Sequence, residues 1–407
     1  MKHESLNKLS IWRFLTVSGG PGYLLLAYPV IYALISRRRE FDEVATVDTS
    51  ATIQIILAVL SFTVAVYVFA KNRTHRRLLL NTPMKWLLLY AVWGGITMIW
   101  SVHLSMTAYR AFENIAYLSL ITAVISRLYR MIGIEGMIDW ILKYAVFTIF
   151  TGLLRRAMQF DLSIFSLETL FLEQMNSTPY FFLALLLPVG WMVKSFILPI
   201  SIFSLSNTAY AGFATGILAF GRGNKWLKIL LIVISFGILF SVSYWGPQSF
   251  LQSTIFYGQQ GVGMEYTTGR YQLFELAYNE FLEKPFIGYG FVAGETFIIN
   301  KVLLASIGTH NGLLSALLGT GAIGAFFFVM FFWGILRKTN SDLLPPKLRA
   351  VFLATAILIT VHTMGNPGIG TRVYGTWIPA VIIFSMISMA HLHFKRLSSN
   401  ENNLGYT

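Results

Sequence analysis

Residues 311–335 read NGLLSALLGTGAIGAFFFVMFFWGI, a stretch without one charged side chain. A helix of roughly 20 apolar residues is enough to cross a bilayer, so this stretch reads as a transmembrane helix. Working outward, stretches of the same character lie near 14–35, 51–70, 85–100, 111–127, 138–154, 178–193, 195–206, 207–221, 227–245, 350–364 and 375–391. The pattern predicts an all-α polytopic transmembrane bundle of about 12 spans. Ser204, Ser206, Asn207 and Thr208 interrupt the seventh and eighth stretches, which are either one broken helix or two short ones in a tight hairpin.

Composition points the same way. The chain has 407 residues, 55% of them hydrophobic and only 12% charged. Soluble domains carry about 25% charged residues, so lipid must be much of this protein's solvent. Cysteine is absent, which excludes disulfides, thiolate metal sites and a cysteine nucleophile. A net charge of +13 invites a nucleic-acid reading. The lysines and arginines sit mainly in short loops between apolar stretches, however, where they set topology. No nucleic-acid partner is expected.

With the N-terminus inside, the segments on the cytoplasmic side hold 21 of the 31 Lys and Arg, and both termini are cytoplasmic. Arg37-Arg38-Arg39 runs against this bias but is diluted by Glu40, Asp42, Glu43 and Asp48. The first stretch follows Lys2, Lys8 and Arg13, exceeds a secretory h-region in length, and has no small-x-small cleavage site before Arg37. It reads as a retained signal anchor.

The organisation that follows is spans one to nine over 1–245, one large extracytoplasmic loop over 246–310, and the last three spans with a cytoplasmic tail over 311–407. A loop that long is functional or disordered. This one carries Phe250, Tyr257, Tyr266, Tyr271, Phe274, Phe281 and Phe291, and is expected to be ordered and partly helical.

Within it, 267–283 (TTGRYQLFELAYNEFLE) reads as an amphipathic helix, with Thr268 as N-cap and Pro285 as the stop. Leu273, Phe274, Ala277 and Phe281 form one stripe, and Arg270 projects into its middle. A guanidinium there either meets a carboxylate, carbonyls or a bound anion, or snorkels from the first turn to water. Gly288, Gly290 and Gly294 around Tyr289 permit positive φ and close backbone approach. His310 stands just before a helix N-terminus at the outer membrane surface. That position favours a neutral imidazole able to accept a proton, or an inert interfacial histidine. Gly312, Gly319, Gly321 and Gly324 read as helix-packing positions. Arg110, Arg155, Arg156 and Arg372 face the same outer side; each alone suits interfacial anchoring, and together they suggest a site.

Thr268-Gly269-Arg270, then 283–290 (EKPFIGYG), then His310-Asn311-Gly312-Leu313-Leu314 and Gly319-x-Gly321-x-x-Gly324 resemble, in order and spacing, the O-antigen ligase/polymerase family of bacterial membrane glycosyltransferases. The stretch from Trp100-Ser101 to Arg110 also fits. The motifs cover residues 265–325, and the rest agrees by hydropathy. One departure is Ser206-Asn207, where many members carry Ser-Arg. Ser204, Ser206 and Thr208 are closer in character to exopolysaccharide polymerases than to lipid A-core ligases.

The resemblance implies a metal-independent, inverting transfer of a glycan from a polyprenyl diphosphate carrier to an acceptor hydroxyl. The reaction would lie on the periplasmic face of the inner membrane, needs no cofactor, and has a chain-length regulator and a flippase as partners. Arg270, Arg110 and Arg372 would bind the diphosphate, His310 with Arg270 would be catalytic, and Asn311 and Tyr289 would bind substrate. Three rivals stand beside a polymerase. They are a ligase to lipid A-core, a metal-dependent transferase using Glu40, Asp42 and Glu43, and a transporter or flippase for lipid-linked glycans.

Overall fold

The computed structural model describes residues 11–35, 48–160, 174–202, 207–220, 276–299, 311–365, 368–373 and 376–404. Arg270, His310, the stretch 227–245 and the run Glu40, Asp42 and Glu43 lie outside the described residues. The described chain is helical, with no sheet and only an isolated bridge between Gly368 and Gly370.

The helices are α1 (Ile11–Val17), α2 (Gly19–Ile35), α3 (Thr49–Lys71), α4 (Arg73–Leu80), α5 (Met84–Ile96), α6 (Leu104–Phe160), α7 (Phe181–Leu186), α8 (Trp191–Ile202), α9 (Asn207–Phe220), α10 (Gly312–Thr339), α11 (Pro346–Gly365) and α12 (Trp377–Leu404). Among the described residues five helices are long and apolar enough to cross a membrane: Thr49–Lys71, Leu104–Met158, Gly312–Thr339, Pro346–Met364 and Trp377–Asn400. This is a membrane protein with an all-α scaffold.

α6 is two helices folded back on each other. Gly133 breaks it at φ 68 and ψ −170, a conformation that only glycine adopts without strain. Arg127 Nε donates to Val17 O and Trp140 Nε1 donates to Phe14 O, so both sides of the break meet α1. At the other end Arg110 and Arg155 both reach Tyr32 of α2. The break therefore separates the stretches 111–127 and 138–154 as an antiparallel pair.

The stretch 178–193 departs from the sequence expectation. Its helix ends at Leu186, because Pro188 forces Leu187 into an extended conformation (φ −89, ψ 154), and the chain resumes as α8 only at Trp191. α7 has six residues, too few to cross a bilayer alone.

α12 lies at the centre, with 83% of its most apolar window buried, whereas α3 has only 17% of its own buried. Phe384 of α12 packs against Phe331 and Phe332 of α10, and Ser385 Oγ donates to Met84 Sδ of α5. α3 presents Ile56, Val59, Leu60, Val66 and Tyr67 outward, as a lipid-facing helix does. At one end α4 is fastened to α6 through Asn72 Nδ2 to Ser126 Oγ (3.2 Å) and His75 Nε2 to Thr122 Oγ1 (3.0 Å). There Tyr129 Oη also meets His393 Nδ1. Basic residues are dense at this end, and the glycine-rich segment 285–294 sits at the other.

Candidate anion site at the end of the bundle

α10 is not continuous. Gly321 adopts φ 66 and ψ −171 within it, which frees carbonyls on one side and N–H groups on the other. The segment after Pro285 inserts there and satisfies both. Tyr289 N donates to Leu318 O and Gly290 N to Gly319 O (both 2.9 Å), while Ala322 N donates to Pro285 O (2.8 Å) and Ile323 N to Phe286 O (3.4 Å). Trp93 Nε1 donates to Thr320 O (2.9 Å). Non-helical backbone in a membrane helix persists only where protein covers it in this way.

The glycines of 285–294 make the approach possible. A Cβ on Gly288 (φ 65) would lie 2.7 Å from the Gly319–Gly321 backbone, and one on Gly290 (φ 113) would run into the Ser101 side chain. Gly321 is therefore corrected as a simple packing position, being the break itself, whereas Gly324 is buried and a Cβ there would lie 3.0 Å from the Trp93 side chain of α5, as at a packing glycine. Beyond the insertion Val102 N donates to Tyr289 O, Phe291 N to Thr97 Oγ1, and Thr107 Oγ1 to Phe291 O. These bonds join the motif segment to the start of α6, three residues before Arg110.

Arg110 and Arg372 come together here. Arg110 Nη1 pairs with Glu113 Oε2 at 2.8 Å, one turn along α6, and its guanidinium lies 5.0 Å from the Tyr109 ring. Tyr109 Oη donates to the other oxygen of Glu113 at 3.2 Å. Arg110 Nε is buried with no hydrogen-bond partner among the described residues. Arg372 stands on the short segment 368–373, which is pinned by Asn114 Nδ2 to Thr371 O, Tyr28 Oη to Val373 O and Tyr90 Oη to Gly370 O.

Arg372 Nη2 donates to Thr296 Oγ1 at 3.2 Å and makes no ion pair among the described residues. Burial and then the neighbouring Arg110 push its pKa below the usual arginine value, and Glu295 pulls it back up. The charged form is thus short of compensation, which a bound anion would supply. Arg155 lies 4.8 Å from the Tyr32 ring, and Tyr32 stacks on Tyr28. Among the described residues the guanidiniums of Arg110, Arg155 and Arg372 share this end with two buried carboxylates, Glu113 and Glu295.

Of the other expected residues, Asn311 is the N-cap of α10: its Oδ1 accepts from Leu313 N (3.0 Å) and Leu314 N (3.1 Å). The ring of Tyr289 is buried against Ala277 and Leu318, with Lys284 Nζ 4.7 Å from it. Burial, with Glu280 and Glu283 behind it, pushes the Tyr289 hydroxyl up to about 12, so it stays protonated at neutral pH. Helix 276–283 ends before Pro285, as read. Glu113 and Glu295 were not read as site residues. Arg110-x-x-Glu113 is the signal for the first, since residues three apart are neighbours on a helix; no signal marks Glu295. Among the described residues no three His, Asp or Glu side chains converge as a metal site would require.

No family model matches the chain, and none of the curated proteins compared with it matches.

Proposed function

We propose that this protein is a polytopic glycosyltransferase of the inner membrane, with cytoplasmic termini and a large periplasmic loop. It moves a glycan from a polyprenyl diphosphate carrier to an acceptor hydroxyl, as a polymerase of O-antigen or exopolysaccharide; ligation to lipid A-core is the alternative acceptor choice. The observation that carries this reading is the meeting of Arg110 and Arg372 at one end of the bundle, where Arg372 donates to a neutral threonine hydroxyl and makes no ion pair among the described residues. Paired guanidiniums suit a diphosphate, because each presents fixed N–H forks to anionic oxygens.

In the reaction the acceptor oxygen attacks the anomeric carbon from the face opposite the carrier. The new C–O bond forms as the bond to diphosphate breaks, the electron pair leaves on the diphosphate, and the configuration inverts. Arg372 and Arg110, with Arg270, stabilise that developing charge, and His310 takes the acceptor's proton. The donor is already activated, so no nucleotide is consumed.

A transporter of lipid-linked glycans is the second reading, and the broken α10 favours it, since transporter sites are built on discontinuous helices. Against it, the freed backbone groups around Gly321 are bonded to the inserted segment. One assay separates the two: vesicles containing the protein receive lipid-linked glycan extracted from the host. New glycosidic bonds that persist in chelator and vanish in Arg270→Ala and His310→Ala support the transferase. Movement of the glycan across the bilayer without new bonds would establish transport instead.

A further inference from the structure

A second group of residues at the same end is used by none of these roles. His103 is the residue before α6 and lies seven positions ahead of Arg110. On a helix that places both on one face, about 10 Å apart along the axis. The ring of His103 stacks on Phe297 with centroids 4.9 Å apart and planes within 8°. Phe297 belongs to the π-helical turn Glu295–Ile299, whose Thr296 accepts from Arg372. That turn therefore ties the histidine to the arginine pair. Single π-helical turns recur at functional sites.

The chemistry of the ring is defined by its own helix. Met106 N donates to His103 Nδ1 at 3.3 Å, capping the first turn, and Ser105 Oγ is 3.3 Å from the same nitrogen. A nitrogen that accepts carries no proton, so the proton is on Nε2. Nε2–H has no partner among the described residues, and the ring is only partly buried.

We propose that His103 and Phe297 form a sugar subsite for the glycan carried on the diphosphate, His103 Nε2–H donating to a sugar hydroxyl. The inference rests on the reading that Arg110 and Arg372 hold the diphosphate. A pyranose spans about 5 Å, on the scale of one helical turn, so the distance of two turns fits the first or second sugar from the phosphate. A neutral donor suits this place, because a sugar hydroxyl is uncharged and accepts readily. An aromatic ring behind it supplies a flat apolar backing to the subsite.

The test compares two probes on the full-length protein in nanodiscs: sugar-free undecaprenyl diphosphate and the lipid-linked glycan extracted from the host. The variants are His103→Asn, whose side-chain oxygen can still cap α6, and Phe297→Leu. Each is expected to weaken binding of the glycan-bearing probe by about tenfold and to leave the sugar-free probe within twofold of wild type. Equal losses for both probes, or no loss for either, would overturn the subsite. Failure of the wild-type protein to bind either probe would overturn the diphosphate reading itself, and the subsite with it.

Discussion

At the scale of single residues the site is a problem of buried charge. Glu113 is almost fully enclosed and holds Arg110 through one oxygen and the Tyr109 hydroxyl through the other. Removing one partner of such a pair leaves the other charge uncompensated, typically a loss of about 3–5 kcal/mol. Glu113→Gln should therefore lower the thermal unfolding midpoint in detergent clearly, and Arg110→Met added to it should restore part of the loss. Unfolding of Glu113→Gln at the wild-type temperature would mean that the pair is not the counterweight described. Arg372 is different, since a neutral threonine hydroxyl is its hydrogen-bond partner among the described residues. That contrast makes Arg372 the freer anion ligand, an order the sequence alone does not reveal. The common side of Arg110 and Arg372 was legible, because each flanks an apolar stretch. Glu113 was not, because it stands as a lone carboxylate inside a mostly apolar stretch whose length alone attracts attention.

At the scale of elements two glycines break long helices with nearly the same backbone angles and for different ends. Gly133 turns α6 back on itself in open space, where a Cβ would meet nothing. Gly321 opens α10 to receive the segment after Pro285, where a Cβ would be driven into the backbone of Phe286 and Ile287. Gly133→Ala thus bears backbone strain alone, of order 1–3 kcal/mol. Gly321→Ala bears the same strain plus a clash that no side-chain movement relieves. The expected result is a lower unfolding midpoint for Gly321→Ala than for Gly133→Ala, with glycan assembly lost in the former. Equal midpoints would show that the inserted segment is not held by the break.

The spacing of Gly319, Gly321 and Gly324 gave no warning of this, because small residues at helical spacing serve close helix packing equally well. The break at Gly133 was legible only indirectly, as the gap between two apolar stretches. Pro188 carried a clearer signal, and it ends the helix that hydropathy extends through it.

For the whole molecule the remaining question is which end faces which compartment, and the charge distribution makes a definite claim. Among the described residues the end carrying α4 gathers Arg73, Arg76 and Arg77 with Arg127, Arg130, Arg337, Lys338, Lys395 and Arg396, whereas the site end carries Arg110, Arg155, Arg156, Lys284 and Arg372. The positive-inside rule predicts that the first end is cytoplasmic and that the site faces outward, where the proposed lipid-linked glycan would be used. The chain has no cysteine, so a single introduced thiol reports its own position without background. Ser105 is exposed beside the site, and Asn340 is exposed just past the end of α10. In right-side-out vesicles a membrane-impermeant maleimide should label Ser105→Cys at once, and should label Asn340→Cys only after detergent opens the vesicles. The reverse pattern would put the arginine pair in the cytoplasm. A diphosphate site could survive there, but the transfer of exported glycan could not, since its donor would stand across the membrane from the guanidiniums meant to grip it.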